Sequence, residues 1–317
     1  MTHKIIEIVS YNPAWPQMFE EEAARIKQVL GENCIAVHHV GSTAVPELAA
    51  KPKIDIIAVV KDITEVTQRL EGLGYTYKGE HNIPLHLGFS KRDTLPGINL
   101  HVYEDGNPEI ELNLLFRDFL RTHPDAKEEY ANLKLKLVSQ ESSHKKTSAK
   151  VSAFNLGKDT FIKKILDQAG FKGLCMRLCT HHDEWEAVRT FRNKTFFDKI
   201  PMADPYTWTF DHKDHIHLVF YQGTNIIGYS HIQLWPEHRA ALRIIVIDEQ
   251  IRGQGLGGQF LGLCERWLKQ KGFNVLQTQA SPEAYPFYLK YGYTEMPFND
   301  PDGYESDPRD IDMGKVL

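Results

Sequence analysis

The chain has 317 residues and a formal net charge of −5, long enough for two domains that each bury a core. That charge balance gives no general pull toward nucleic acid or acidic membranes, and no stretch is long and apolar enough to span a bilayer. Four scattered cysteines, and an opening Met1–Glu7 without the apolar centre of a signal peptide, lead to the expectation of a cytoplasmic chain with no disulfide scaffold and no membrane partner.

In chain order, the first informative stretch is His39-Val40-Gly41-Ser42-Thr43-Ala44-Val45-Pro46, followed by the segment Ala49 to Val60. Gly41 and Ser42 read as a turn at a helix start. The β-branched strand after them carries Asp55, a combination that suits phosphate plus a metal ion. Together with Asn99-Leu100-His101-Val102, the run Leu114 to Arg121, and Lys158 ahead of Phe161, these residues resemble the GrpB-like family over nearly all of the first half. The resemblance implies a nucleotidyltransferase-type fold. It also implies a pocket in which Lys53, His101, Arg117 and Asp118 join Gly41, Ser42 and Asp55 to take a nucleotide or a divalent metal. Activity does not follow from it. Nucleotidyl transfer normally uses paired carboxylates in Asp-x-Asp, whereas this strand reads Asp55-Ile56-Ile57. Glu104, Glu109, Glu111 or Asp118 would have to complete the set, so a binding or vestigial site is expected ahead of a working nucleotidyltransferase. For Arg117 and Asp118, ordinary salt bridging explains the pair equally well.

The polar run Ser139 to Ser148 reads as a loop whose lysines form a solvated face. A break at Ala169-Gly170-Phe171-Lys172-Gly173 separates a domain at 1–171 from a second at 174–317, both of mixed α/β (α+β) class. The second opens with a strand at 174–179, where Leu174, Met176 and Leu178 alternate. Cys175 and Cys179, with His181 and His182, suggest zinc. Residues four apart on a strand, however, lie roughly 13 Å from each other, too far to share one ion. Helical material at 183–198 and a polar, aromatic loop at 199–214 come next. Strands at 215–221 and 226–234, joined at Gln222-Gly223-Thr224-Asn225, precede a third at 240–247. His212, His215 and His217 with Asp211 and Asp214 offer a lesser metal alternative, because 215 and 217 share a strand face. Asp204 and the aromatics at 206–210 are candidates to wall a cationic acceptor, or simply to pack.

Ile244-Ile245-Val246-Ile247 then breaks into Asp248-Glu249-Gln250-Ile251-Arg252-Gly253-Gln254-Gly255-Leu256-Gly257. Glycines at 253, 255 and 257 let several N–H groups converge on an anion, and the next helix adds its unpaired N–H groups and positive dipole end. Arg252 supplies a cation beside them. The loop lacks the Lys-Ser/Thr of a kinase phosphate loop, and the strand near Val275–Thr278 lacks the acidic residue of a dinucleotide fold. Phe260, Leu263, Cys264, Trp267 and Leu268 give the helix one buried face, and Gly272 stops it. A strand at 273–278 leads to Ser281-Pro282-Glu283-Ala284-Tyr285-Pro286-Phe287-Tyr288-Leu289-Lys290-Tyr291-Gly292-Tyr293. That stretch predicts a helix with Ser281 at the N-cap, Pro282 at the first position and Gly292 at the exit.

Two motifs, Arg252-x-x-Gly255-x-Gly257 and the ordered set Ala284, Phe287, Tyr288, Gly292 and Tyr293, resemble the GNAT superfamily of N-acetyltransferases across residues 174–317. The resemblance implies acetyl-CoA as donor substrate. It would be held by Ile245, Val246 and Ile247, by Arg252, Gly253, Gln254, Gly255, Leu256 and Gly257, and by Ser281, where the family usually has Asn. It further implies that the strands ending at Ile247 and Thr278 splay apart to admit the thioester, and that this half needs no metal. Tyr288 becomes the acid that protonates the departing thiolate. The general base stays open. Ala240-Ala241-Leu242-Arg243 carries no carboxylate, so Glu237 stands as a catalytic candidate, with His238, His217, His231 or a water relay as others. Acetyl transfer to a small-molecule or protein amine is the expected function. The alternatives are a non-catalytic acyl-CoA or nucleotide sensor, and metal-dependent nucleotidyl transfer by the first half. Sequence leaves the acceptor and the oligomeric state open.

Overall fold

The computed structural model describes residues 7–140, 153–197, 203–303 and 307–317. The polar run from Ser139 onward therefore lies, past Gln140, outside the described residues, as do residues 198–202 of the aromatic loop. The chain divides into two compact units: Met1–Cys175 with Gln222–Thr224, and Met176–Tyr221 with Asn225–Leu317.

In the first unit, β1 (Cys34–Val40), β2 (Lys53–Val60), β3 (Thr76–Gly79), β4 (Leu87–Lys91) and β5 (Gly97–Glu104) form a sheet in the order β1-β2-β5-β4-β3. β2 and β5 run parallel and the other neighbours antiparallel. Helix α1 (Trp15–Leu30) buries Trp15, Phe19, Ala23, Ile26 and Leu30, the stripe that a 3.6-residue period places on one side. Together with α2 (Val66–Gly72) it covers one face of the sheet, taking up Ile54, Ile56, Ala58 and Val60 of β2 and Ile98, Leu100 and Val102 of β5.

Strand alternation sends the intervening residues to the other face. There Ile57, Val59 and Tyr103 pack under Ile110 and Leu114 of α3 (Pro108–Thr122). Lys53, Asp55, Asn99 and His101 lie on that same face, nearer the starts of β2 and β5. A further core joins Leu120 of α3 to Tyr130 of α4 (Pro124–Ser139) and to Phe161 and Ile165 of α6 (Asp159–Gln168); the short α5 (Ala153–Leu156) precedes α6.

The second unit contains β6 (Leu174–Leu178), α7 (His182–Arg192), β7 (His215–Gln222), β8 (Asn225–Trp235), β9 (Arg239–Ile247), α8 (Leu256–Gln270), β10 (Val275–Ala280), α9 (Tyr285–Lys290), β11 (Thr294–Glu295) and β12 (Ile311–Val316). Its seven-stranded sheet has the order β11-β12-β10-β9-β8-β7-β6. Helix α8 buries Phe260, Leu261, Cys264, Trp267 and Leu268, and the Phe260 ring stacks on Phe220 of β7 at 4.6 Å.

β9 and β10 are parallel but pair only along Arg239–Ala241 with Val275–Gln277. Beyond that rung β9 stays with β8 as far as Ile247, and β10 stays with β12 as far as Ala280. The register of β8 on β9 slips at this point: Ile232 faces Leu242 but His231 faces Ile244, which leaves Arg243 as an extra residue. Such a bulge bends and twists its strand, and here it turns β9 away from β10 where the ladder ends. The result is an open fork.

Two local expectations are corrected. The helix predicted at 183–198 ends at Arg192 and continues as a π-helical turn, Asn193–Phe197. The helix predicted from Pro282 starts at Tyr285. The carbonyl of Ser281 instead accepts from the N–H groups of both Ala284 and Tyr285 at 2.9 Å, which closes a turn first. Pro286 then takes the first helical turn, where its missing N–H costs nothing.

Candidate functional site

The fork is lined by polar groups that the sheet would otherwise pair. The hydroxyl of Thr278 donates to the carbonyl of Leu242 at 2.9 Å, taking over where the backbone ladder stops. Tyr288, buried on α9, has its hydroxyl hydrogen-bonded to Thr278; burial pushes the phenol up to about 12 and the Thr278 bond offsets part of that rise. Farther along β9, the carbonyl of Ile247 accepts from Arg252 Nε at 3.0 Å. Alternation puts the backbone groups of Ile245 on this same open edge and those of Val246 toward β8.

Gly253 and Gly255 both have positive φ, and Gly255 is the N-cap of α8 with no side-chain cap. The first-turn N–H groups contributed by Leu256 and Gly257 are thus left for an external acceptor. Gln254 and the Arg252 side chain are exposed beside them. A cavity of about 240 Å³ at this end of β9 is lined by Val246, Ile247, Asp248, Glu249, Arg252 and Phe191. An uncapped helix start, a neighbouring guanidinium and an open strand edge together fit the pyrophosphate and pantetheine parts of a coenzyme A thioester. Ser281 is half-buried after β10, and its hydroxyl is engaged with the N–H of Ala284 at 3.3 Å.

One residue absent from the sequence reading supports this region. A Cβ on Gly258 would lie 1.9 Å from the Tyr291 hydroxyl, so any larger residue at the start of α8 requires the Tyr291 ring to move aside.

Glu237 is not at the fork. Its side chain is 83% exposed, in a positive-φ turn with His238 ahead of Arg239, at the opposite end of β9 from the glycine loop. The fork opens at Leu242, five positions along the chain from Glu237, roughly 16 Å at strand rise.

His217 and His231 lie instead in a buried network on the face of the sheet away from α8. His215 Nδ1 and His231 Nε2 are 2.8 Å apart, and His217 Nδ1 is 2.8 Å from the Tyr229 hydroxyl. Burial, reinforced by His212 and Arg243, lowers His215 to about 4. Burial lowers His217 to about 3 and holds His231 well below the usual imidazole range. All three are neutral at pH 7. Asp204, expected as a possible acceptor wall, is taken up by Arg192, which it grips at 2.5 and 2.9 Å. Among the described residues, no group of three or more His, Cys, Asp or Glu side chains is placed to hold a metal ion.

In the first unit, Gly41, Ser42, Lys53, Asp55 and His101 line a cavity of about 580 Å³. Gly41 has φ +70°, and a Cβ there would sit 2.5 Å from Asp55 Oδ2, so the chain can pass this close to the carboxylate only as glycine. Asn99 Nδ2 donates to Asp55 Oδ1 at 2.7 Å. Arg117 and Asp118 do not line the cavity. They form a bidentate pair with each other at 2.7 and 2.8 Å, and Arg117 also donates to the His39 carbonyl at 2.9 Å, tying α3 to β1. Neither Glu104, Glu109 nor Glu111 reaches the lining, where Asp55 is the only carboxylate among the described residues. The lining also includes Lys134, missed in sequence although one signal existed: it falls with Tyr130 and Leu137 on the buried stripe of α4, where a lysine is out of place.

These two sites sit in two recognisable families. The chain belongs to the GrpB protein family, whose profile matches residues 5–168, and residues 184–293 match the acetyltransferase (GNAT) family. Among curated relatives, the UPF0157 protein YqkA of Bacillus subtilis is 41% identical over 167 residues, which is 52% of this chain and 47% of that protein. The match thus spans about half of that relative's length. The crystal structure of GrpB from Enterococcus faecalis aligns with 51% of this chain and 96% of its own at 36% identity and a TM-score of 0.45. The ribosomal-protein-S18-alanine N-acetyltransferase of Escherichia coli aligns with 45% of this chain and 94% of its own at 17% identity and a TM-score of 0.37. In the second unit, the described helices include none long and apolar enough to cross a membrane, and the same holds in the first.

Proposed function

We propose that the C-terminal unit is an N-acyltransferase that uses acetyl-CoA and transfers the acetyl group to a primary amine, on a small molecule or a protein. The observation that carries this reading is the placement of the Tyr288 hydroxyl at the fork, while the uncapped start of α8 and Arg252 stand at the far end of the same strand edge. The open edge of β9 would align the thioester chain, and the loop 252–257 would hold its phosphates.

The amine nitrogen attacks the thioester carbonyl carbon, the C–S bond breaks, and charge develops on sulfur next to the Tyr288 O–H. A thiol titrates near about 8.5, well below Tyr288 at about 12. The phenol therefore keeps its proton and stabilises the departing thiolate as a hydrogen-bond donor, and the sulfur takes its proton from solvent. The amine's own proton leaves through water, since His215 and His231 are bonded to each other in the buried network and burial makes them weak bases. The test is thiol release from acetyl-CoA across amines, amino acids, polyamines and aminoglycosides. Amine-dependent release is expected, and its absence over the whole panel would sink the proposal.

One observation favours a second reading, a non-catalytic acyl-CoA sensor. The titratable candidates for proton removal are either exposed at the wrong end of β9 or held neutral in a buried network, where they are weak bases. Saturable acetyl-CoA binding without turnover would select it.

A further inference from the structure

The cavity of the first unit is unlike a metal site in its charge. Lys51, Lys53, Lys134, Lys158 and Arg92 line it, against Asp55. Two of these cations converge on one aromatic ring: Lys51 Nζ lies 3.8 Å and Lys158 Nζ 4.9 Å from the Phe154 ring centroid. Among the described residues, neither lysine has a carboxylate within ion-pair distance, and the same is true of Lys134. Lys134 is 3% exposed; its ammonium reaches Ser42 Oγ at 3.2 Å and the Ala49 carbonyl, and sits 4.7 Å from the Tyr130 centroid.

Holding several ammonium groups this close with Asp55 as the lone carboxylate of the lining among the described residues is costly. Burial, then repulsion from Lys158 and from Lys53, lowers Lys51 to about 8. Burial alone lowers Lys158 to about 8 despite the pull of Asp55, and burial with Lys158 lowers Lys134 to about 7. An arrangement of this kind is stabilised by a multivalent anion. The volume of about 580 Å³ admits one of nucleotide size.

We propose that this cavity is a metal-independent binding site for an oligophosphate group, with Lys51 and Lys158 as its paired cations and Lys134 behind them at Ser42. The lysines occupy the role that metal ions play where two carboxylates are present. Asp55 then serves to orient Asn99 and to balance the lysines, and does not bind the phosphates. A nucleoside triphosphate and an inorganic polyphosphate share this chemistry.

The test is calorimetric titration of the full chain in EDTA with orthophosphate, pyrophosphate, tripolyphosphate, AMP and ATP. Affinity should rise with phosphate number and fall with added salt. ATP binding tighter than tripolyphosphate identifies a nucleotide as the ligand, and equal affinity identifies the phosphate chain itself. Lys51→Gln and Lys158→Gln should each weaken tripolyphosphate about tenfold or more, with melting curves recorded to establish that they fold. Asp55→Asn should bind as well as or better than the parent, since it removes the opposing charge. Binding that appears only on addition of Mg²⁺, a loss of binding in folded Asp55→Asn, or unchanged binding in folded Lys51→Gln and Lys158→Gln would each overturn the proposal.

Discussion

Thr278 on β10 donates its hydroxyl to the carbonyl of Leu242 on β9, one residue past the last paired rung of the two strands. A side chain thus closes the ladder at the point where the backbone lets go. It gives the Leu242 carbonyl a donor from β10, and it meets the hydroxyl of Tyr288.

Thr278→Val keeps the shape and removes both bonds. A buried carbonyl left without its donor costs about 1–3 kcal/mol, so the melting temperature should fall. Thr278→Ser should restore most of the stability, because the hydroxyl and not the methyl makes the contact. Thermal melts of the two variants decide this, and equal melting of Thr278→Val and the parent would refute it.

Tyr288→Phe should lower kcat by about a hundredfold and leave the affinity for CoA within about twofold, because the phenol contributes where charge develops on sulfur. Parallel loss of CoA affinity would make the residue structural.

Glu237→Gln should leave turnover within about twofold of the parent. The carboxylate is exposed and at the wrong end of β9. A fall of several orders of magnitude in kcat would return it to the catalytic set.

Gly258→Ala should destabilise the C-terminal unit by about 1–3 kcal/mol through overpacking, since the new methyl would occupy the position of the Tyr291 ring. In a Tyr291→Ala background the same change should become neutral or mildly stabilising, because alanine is the better helix former. A double-mutant cycle on melting data measures that change of sign.

The histidine cluster predicts an acid-side loss of stability. His217 is held at about 3 and His215 at about 4 in the fold, against about 6.5 in an unfolded chain. Between those values the unfolded chain binds more protons, so stability is full above pH 6.5 and declines as the pH falls toward 4. For His217 alone the loss between pH 6.5 and 5 is about 2 kcal/mol. Melting at stepped pH, compared with His217→Gln, checks it; a flat profile in the parent would contradict the neutral network.

Several parts of the second unit are legible in the sequence because they rest on short-range chemistry. The turn that joins β7 to β8, the glycine loop and the apolar stripe of α8 depend on residues within a few positions of each other. The fork does not. It needs the bulge at Arg243 and the differing partners of β9 and β10, both set by register between strands distant in sequence.

The amino-acid sequence by itself determined that the chain carries two α/β units, a glycine-rich turn after one strand, and a tyrosine on the helix that follows the next. Each of these is written in local periodicity and turn residues. The tertiary structure decided what those parts face. It put Tyr288 against Thr278, drew Arg117 and Asp118 out of the first cavity into a pair with each other, and brought Lys51, Lys134 and Lys158 into it. The cause is physical: like charges gather in a buried space only when packing of separate elements forces them together, and nothing in the local sequence records that force.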